Sequence, residues 1–304
     1  MELVSFAIPR KQSDRTPVII APIGDIQWSG KRGSTATDTL RHHLDRCQAL
    51  GAWYVGLGDY LDFASPSNRQ RLRAAALYDS AEDVIDDKAL DLVQELFDLY
   101  LRPTKGRWLG LVHGHHYANL KTGETTDQRL CQLLDARFLG SSAFIRLQFS
   151  RPTPTSAGMR GNVTLFVHHG AGGGMKAAAP LNKLENLAPY WDADLFMIGH
   201  MTKMATAPVN RVSARWSGRG APELVHRKIM LVGCGGFSKG YVQGAKQGRV
   251  PMGSYVEQRM LNPAALGAPL IYIRPNFRST KIAGKLGSVV GDSKIWDYDV
   301  TVEV

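Results

Sequence analysis

The feature that most restricts the fold is a series of short apolar runs, most of which stop at a glycine, histidine or aspartate. Each run is long enough for a buried strand, and far shorter than the roughly 20 apolar residues that a membrane helix needs. The early runs alternate with amphipathic, helix-like patterns, an order typical of α/β proteins. The predicted strands are 17–24, 52–58, 107–114, 162–169, 194–200, 228–235 and 268–275, and the predicted helices are 36–50, 81–101 and 127–137.

Length and composition favour one large core. The chain has 304 residues, of which 44% are hydrophobic, so we expect a single domain over 1–304 rather than two. The first helix has Ser34 and Thr35 near its start as candidate caps, and Leu40, Leu44 and Cys47 fall on one of its faces.

Cysteine usage and the first residues predict a compartment. The three cysteines are odd in number and far apart in sequence, which indicates neither a disulfide framework nor a structural zinc site. The first 17 residues lack the basic-then-apolar order of a signal peptide. We therefore expect a cytoplasmic chain that has no membrane partner.

The positive charge lies almost entirely in the last third. Residues 201–304 contain 15 Lys and Arg against 6 Asp and Glu, whereas residues 1–200 contain 22 against 21. We expect this charge to lie in basic loops within 205–295. Such a surface either attracts a polyanion, nucleic acid above all, or only keeps the protein in solution. The residues concerned are Arg211, Arg215, Arg219, Lys239, Lys246, Arg249, Arg278, Lys281 and Lys285.

Polar side chains suited to metal binding follow five predicted strands in order. Open α/β sheets build their sites where the carboxyl ends of strands meet, so these side chains are expected to converge. Taken singly, each has an ordinary explanation as a turn, an N-cap or a satisfied structural histidine; their joint occurrence favours a metal site. They are Asp25 with Gln27, Asp59 with Asp62, His115 with His116, His168 with His169, and His200.

The order of these motifs resembles the calcineurin-like metallophosphoesterases. That family has D-x-H, G-D-x-x-D, G-N-H-[ED], a strand ending in His, and G-H-x-H. This chain has "GDIQ", "GDYLD", "GHHY", "VHHG" and "GHMT" between Asp25 and Thr202, so it departs at Gln27, His115, Tyr117 and Thr202. The glycine-rich loop after His169 also resembles members carried by phages and prophages.

The resemblance implies a fold and a set of roles. It implies a four-layer α/β/β/α sandwich of two mixed sheets, whereas periodicity alone leaves a doubly wound single sheet equally open. It implies two divalent ions, most compatible with Mn²⁺, with Fe, Zn or Mg possible, and an attacking hydroxide between them. Asp59 would bridge both ions; Asp25 and Gln27 would complete one ion's shell; His115, His169 and His200 would complete the other's. The implied catalytic residue is His116, beside the phosphate. His113 lies two residues before His115 on the same predicted strand, so we expect it to pack in the fold or to support the ligands from behind.

These roles lead to a functional hypothesis with alternatives. The first is hydrolysis of a phosphodiester bond in nucleic acid or a nucleotide, because a basic third accompanies the implied metal centre. The second is a phosphomonoesterase or nucleotide diphosphatase, and the third is a metal-poor binding scaffold. Lys176 or Lys183 in and after the glycine-rich loop, and Arg69 in a helical insertion near 63–105, are candidate substrate-binding residues, with a solvated side chain as the alternative for each.

Overall fold

The computed structural model describes residues 1–9, 16–31, 33–75, 77–153, 156–216, 222–247, 249–283 and 289–304. The strands are β1 (Glu2–Pro9), β2 (Val18–Ile23), β3 (Trp53–Gly56), β4 (Trp108–Leu111), β5 (Ser142–Thr153), β6 (Ser156–His168), β7 (Leu195–Ile198), β8 (Met204–Arg215), β9 (Glu223–Cys234), β10 (Lys246–Gln247), β11 (Val250–Pro251), β12 (Leu270–Ala283) and β13 (Val289–Glu303). The α-helices are α1 (Thr37–Ala49), α2 (Pro66–Ala74), α3 (Asp79–Leu96), α4 (Thr126–Leu134), α5 (Ala179–Leu187) and α6 (Tyr255–Gln258).

The strands form two large mixed sheets. One has the order β1-β5-β6-β7-β9-β8 and the other has the order β13-β12-β2-β3-β4. In the second sheet β2, β3 and β4 are parallel, and β12 runs antiparallel to β2. In the first sheet β6, β7 and β9 are parallel, β5 runs parallel to β1 and antiparallel to β6, and β8 runs antiparallel to β9. The doubly wound single sheet that periodicity left open is therefore wrong.

The buried side chains define four layers. Alternate residues of β2 point to opposite faces, so Ile20 packs between the two sheets while Ile19 packs against helices. Helices α1, α3 and α4 cover that outer face, and the predicted stripe of α1 is buried there, as Leu40 illustrates. Helix α5 covers the other sheet through Leu184. The predicted α/β/β/α sandwich of two mixed sheets is confirmed.

The start of α1 differs from the prediction. Its N-cap is Ala36, which makes no side-chain capping bond. The Thr35 hydroxyl donates instead to the carbonyls of Ile26, at 3.2 Å, and Gln27, at 3.1 Å. The Ser34 hydroxyl lies 3.2 Å from that of Ser29. The predicted cap is therefore wrong, because these hydroxyls hold the loop that follows β2.

Basic loops were expected over 205–295, and most of that range is strand. Strand β8 carries Arg211 and Arg215, and it pairs along its whole length with β9. Exposed and half-buried residues alternate along part of β8 at the edge of its sheet, so no continuous apolar run marks it. Arg219 and Lys285, and the side chains of Arg278 and Lys281, lie outside the described residues.

Segment 63–105 is helical, with α2 and α3 followed by a π-helical turn over Phe97–Leu101 and a 3₁₀ turn over Arg102–Thr104. That this segment is an insertion stays a prediction. In the described part of the chain, no helix is both long and apolar enough to cross a membrane.

Candidate metal centre

The predicted ligands converge where strands of both sheets end. Asp25, Asp59 and His115 follow β2, β3 and β4 of one sheet. His169 and His200 follow β6 and β7 of the other. The strand ends of two facing sheets thus supply one site, which lies over the core between them.

The loops after β2 and β3 stay paired beyond their strands. The amides of Asp25, Gln27 and Trp28 donate to the carbonyls of residues 58, 59 and 60, each at 2.9 Å. The amide of Asp62 donates back to the Trp28 carbonyl at 3.0 Å. Asp25 and Asp59 are therefore fixed relative to each other by the backbone.

Four side chains form a group that can hold a metal ion. Asp59, His115, His169 and His200 each offer one ligand atom, and these atoms all lie within 4.8 Å of one another. His115 Nδ1 is 3.2 Å from His200 Nδ1, and His169 Nε2 is 3.3 Å from Asp59 Oδ2. Two ligands about 2.1 Å from a tetrahedral ion would be roughly 3.4 Å apart. The spacing of both pairs fits one ion.

His169 has the orientation of a metal ligand. Its Nδ1 lies 2.6 Å from the Leu57 carbonyl, which can only accept, so Nδ1 carries a hydrogen and donates. Its Nε2 is buried, has no hydrogen-bond partner and faces Asp59. Burial disfavours the charged ring, but the Asp59 carboxylate outweighs it and raises the pKa of His169 to about 9. A divalent cation beside Nε2 would supply, in place of the protonated ring, the positive charge that the Asp59 carboxylate stabilises.

Asp59 is packed against the loop after β4. Its Oδ1 accepts from the amides of His115 and His116, the latter at 2.9 Å. A side chain at Gly114 would place its Cβ 2.1 Å from the Asp59 nitrogen, so only glycine fits there. Burial opposes ionisation of Asp59, yet the adjacent His169 ring holds its pKa well below its usual range. The G-D and G-H dipeptides therefore reflect a close backbone approach.

Asp25 is fully buried with one oxygen unsatisfied. Its Oδ2 accepts from the His200 amide at 2.8 Å, whereas Oδ1 has no hydrogen-bond partner. Burial raises the pKa of this carboxyl to about 7. A buried polar atom without a partner is costly, and a cation beside Oδ1 would remove that cost. Asp25 therefore fits the predicted role of metal ligand.

The side of the site near Gln27 offers fewer ligands. The Gln27 Oε1 accepts from the Ser238 hydroxyl at 2.7 Å, which leaves one lone pair of that oxygen. Asp25 does not belong to the group of four, and Gln27 offers only a neutral amide oxygen. Thr202 stands where the family pattern has a second histidine. The side near Gln27 therefore has fewer charged ligands than the group of four.

Backbone strain is concentrated here. In the described residues, most non-glycine positions with a left-handed backbone belong to the site, and such conformations cost roughly 1–3 kcal/mol each. Strain of this kind persists only where the surrounding structure imposes it, which indicates a functional constraint. The site positions are Asp25 (φ 49°), Gln27 (φ 50°), Asp59 (φ 53°), His200 (φ 63°) and Thr202 (φ 52°).

The two other histidines of "HGHHY" have different surroundings. His116 Nδ1 lies 3.0 Å from Asp62 Oδ1, and this hydrogen bond raises the pKa of His116. His113 Nδ1 lies 2.9 Å from Asp127 Oδ2, and its ring packs against Tyr117 at 3.7 Å between centroids. His113 thus packs beside the loop and pairs with Asp127, which also accepts from the Gly114 amide at 3.0 Å, in agreement with both predicted alternatives. Asp62 as partner of His116 was missed, although it is the last residue of "GDYLD".

Arg69 has a structural role that the sequence did not reveal. Its Nη1 donates to the carbonyls of Ala64, at 2.6 Å, His115, and Tyr117, at 3.3 Å. Its guanidinium also lies over the Tyr117 ring. Arg69 therefore holds the loop that carries His115, and a cavity of about 360 Å³ lies beside it. Lys176 is exposed on the loop after β6. Contact of either residue with substrate stays a prediction.

Comparisons with known proteins give little further information. No model of a protein family matches the chain, and no curated protein matches it. It is similar to the crystal structure of a conserved uncharacterized protein from Streptococcus pneumoniae that is described as a predicted phosphoesterase. The identity is 11% over 92% of this chain and 98% of that chain, and the TM-score is 0.30. The inference about function therefore rests on the site itself.

Proposed function

We propose that this protein is a metal-dependent phosphoesterase that hydrolyses a phosphodiester bond in nucleic acid or a nucleotide. The observation that carries the proposal is the group Asp59, His115, His169 and His200, delivered by the strand ends of both sheets. One carboxylate and three imidazoles suit manganese, iron or zinc. The unsatisfied buried atoms His169 Nε2 and Asp25 Oδ1 support the same conclusion, since a cation would satisfy both.

The residues divide between two ions. Asp59, His115, His169 and His200 would hold one ion, and Asp25 with Asp59 and Gln27 would hold a second more weakly. When bound, such ions polarise phosphoryl oxygens, lower the pKa of water and stabilise charge that develops during in-line displacement. The protein supplies the rigid loops that keep these ligands in place.

His116 is the proposed proton donor. Its Nδ1 faces Asp62, so Nε2 is the ring atom left to face a substrate. The Asp62 carboxylate stabilises the protonated ring, and its hydrogen bond fixes the ring's orientation. His116 Nε2 would then donate its proton to the oxygen of the leaving group, a contribution of typically 10²–10⁴-fold for general acids.

Metal counting followed by a substrate series tests the proposal. The protein is stripped with chelator, reloaded with Mn²⁺ and analysed for bound metal by elemental analysis. It is then assayed with bis-p-nitrophenyl phosphate, a dinucleotide, a nucleoside diphosphate and p-nitrophenyl phosphate. We expect one tight and one weaker ion, with hydrolysis of the diesters.

Three outcomes would favour the alternatives. Hydrolysis of the monoester alone would indicate a phosphomonoesterase. Cleavage of the nucleoside diphosphate alone would indicate a nucleotide diphosphatase. Failure to bind any metal would overturn the proposal in favour of a binding scaffold.

A further inference from the structure

Two loops form a continuous surface beside the metal centre. We name it the cationic rim and define it as residues 171–178, Lys203, residues 238–247 and residues 249–262. It joins the site directly, since the Phe237 amide donates to the Asp25 carbonyl at 2.9 Å and Ser238 bonds to Gln27. Its two loops also contact each other, because Asn262 Nδ2 donates to the Met175 carbonyl at 3.1 Å.

The cationic rim carries unpaired positive charge. Residues 238–262 contain four basic residues and one acidic residue, Glu257. Over the described residues, none of these basic side chains takes part in an ion pair, and neither Lys176 nor Lys203 does. The four are Lys239, Lys246, Arg249 and Arg259.

The other described basic region of the last third is neutralised. On the β8–β9 hairpin, Arg215 lies 2.9 Å from Glu223. Arg211 lies 3.6 Å from Asp192, and Lys228 lies 3.1 Å from Asp299. The charge available to a polyanion is therefore concentrated in the cationic rim and not on the hairpin.

Exposed aromatic and thioether side chains accompany these charges. Tyr255 is 67% exposed and Tyr241 is 45% exposed, and the Tyr241 hydroxyl is anchored to the Leu261 carbonyl at 2.8 Å. Met175 and Met260 are exposed on the same surface. A positive groove with rings for stacking is the footprint of proteins that bind single-stranded nucleic acid. Double-stranded nucleic acid would not stack on these tyrosine rings, because its bases are already stacked on one another.

Helix α3, which lines the cavity beside Arg69, is strongly acidic. It carries seven acidic residues and one lysine, Lys88. It packs against α4 and holds the 118–123 loop through Asp83 and Asp86, which bond to Lys121. An anionic strand would therefore approach the metal centre along the cationic rim and not across α3.

We propose that the cationic rim binds single-stranded nucleic acid. Lys239, Lys246 and Arg249 contact its phosphates, and Tyr241 and Tyr255 stack on its bases. Delivery of a backbone phosphate to the metal centre rests on the proposed function, whereas the binding itself does not.

Fluorescence anisotropy with a labelled oligothymidylate tests the binding. The full chain is titrated with chelator present, so that no strand is cut. Replacing Lys239, Lys246 and Arg249 together by Gln should weaken binding at least tenfold. It should also lower the slope of log Kd against log salt by about 2, because each phosphate contact to a single strand contributes about 0.7. The matched control replaces Arg211, Arg215 and Lys228 by Gln, which removes the same charge and should change Kd less than twofold.

A second variant tests the stacking. Tyr241→Ala combined with Tyr255→Ala should weaken binding about tenfold while leaving the salt slope unchanged, because stacking releases no counterions. The proposal would be overturned if the two triple variants weakened oligonucleotide binding equally. It would also be overturned if duplex bound as tightly as single strand and the tyrosine variant bound like the wild type. Binding of the rim to phosphatidylserine vesicles in place of the oligonucleotide would also overturn it, in favour of a membrane surface.

Hydrolysis of bis-p-nitrophenyl phosphate separates this inference from the proposed function. The diester is too small to span the cationic rim, so the rim variants should hydrolyse it at the wild-type rate. Diester hydrolysis without oligonucleotide binding would refute the nucleic-acid binding proposed for the cationic rim and would support the proposed enzyme activity. Oligonucleotide binding without hydrolysis of any diester would refute the proposed enzyme activity and would support nucleic-acid binding by the cationic rim.

Discussion

Strand β7 has a buried polar cluster at each end, and the two clusters differ in how well their atoms are satisfied. Before β7, Asp194 Oδ1 accepts from Arg227 Nε at 2.9 Å and from the Tyr298 hydroxyl, and its Oδ2 accepts from the Thr164 amide at 2.7 Å. At the other end, Asp25 accepts one bond and leaves Oδ1 without a partner. Both carboxylates are buried.

The difference separates structural from functional polar residues. Asp194 ties β7 to β9 and β13 and has a protein partner for each oxygen, so it needs no ligand. The cluster after β7 combines an unsatisfied oxygen, an unsatisfied imidazole nitrogen and left-handed backbone. This combination of unsatisfied atoms and strained backbone at one place is expected where a partner comes from outside the chain.

The largest effect should come from Asp59→Asn. The amide oxygen can still accept from the His115 and His116 amides, so the fold is kept, but the charge shared by the ions is lost. We expect kcat/KM for diesters to fall on the order of 10³-fold or more, with loss of bound metal. Asp135→Asn, at an exposed left-handed helix C-cap, is the control and should be neutral. Turnover near wild type in Asp59→Asn would refute the site.

Asp194→Ala should act on stability alone. It leaves Arg227, Tyr298 and the Thr164 amide without their shared partner, and we expect the free energy of unfolding to fall by about 2–4 kcal/mol. Chemical denaturation measures this change. Asp192→Ala removes an exposed partner of the same arginine and should cost about 0–1 kcal/mol. A lower metal content per folded molecule of Asp194→Ala would contradict the prediction that Asp194 acts on stability alone.

His116→Gln should affect chemistry without affecting metal binding. We expect turnover to fall roughly 10²-fold for diesters with poor leaving groups and less for p-nitrophenyl esters, because only a poor leaving group needs a proton. The dependence of kcat on leaving-group pKa measures this, with elemental analysis as the control. An equal loss on all leaving groups would assign the residue to positioning and not to proton transfer.

The smallest effect is expected for Ser238→Ala. Loss of one hydrogen bond frees the Gln27 amide, and a bond of this kind contributes about 0.5–1.5 kcal/mol. Calorimetric titration with Mn²⁺ should show the weaker of two ions bound roughly 3- to 10-fold less tightly and the tighter ion unchanged. Weakening of the tighter ion instead would show that Gln27 has been assigned to the wrong ion.

Residue patterns alone predicted the convergence of polar side chains more directly than they predicted the architecture. Asp25, Asp59, His115, His169 and His200 could be found because each directly follows an apolar strand. The two-sheet sandwich came from the resemblance, since a buried strand has the same pattern in one sheet or two. Strands β1, β5, β8 and β13 were missed, because edge position or polar alternation hides a strand from a search for apolar runs.

Partnerships between distant residues were beyond sequence reasoning. Arg227, Asp194 and Tyr298 meet only in the folded chain, as do Arg69 and the His115 carbonyl. Thr35 has the pattern of a cap, yet the Gln27 carbonyl competes for its hydroxyl. Whether an arginine is neutralised, as Arg215 is, depends on the strand beside it and not on its neighbours in sequence.

The pairing of the loops after β2 and β3 beyond their strands has a consequence for engineering. Asp25 and Asp59 are held by one backbone ladder, so neither loop keeps its shape if only the other is transplanted. Recombination or grafting that exchanges 24–28 without 58–62 should yield a scaffold with both carboxylates present and misaligned. The two loops should therefore be transferred together, although 29 residues separate them in the chain.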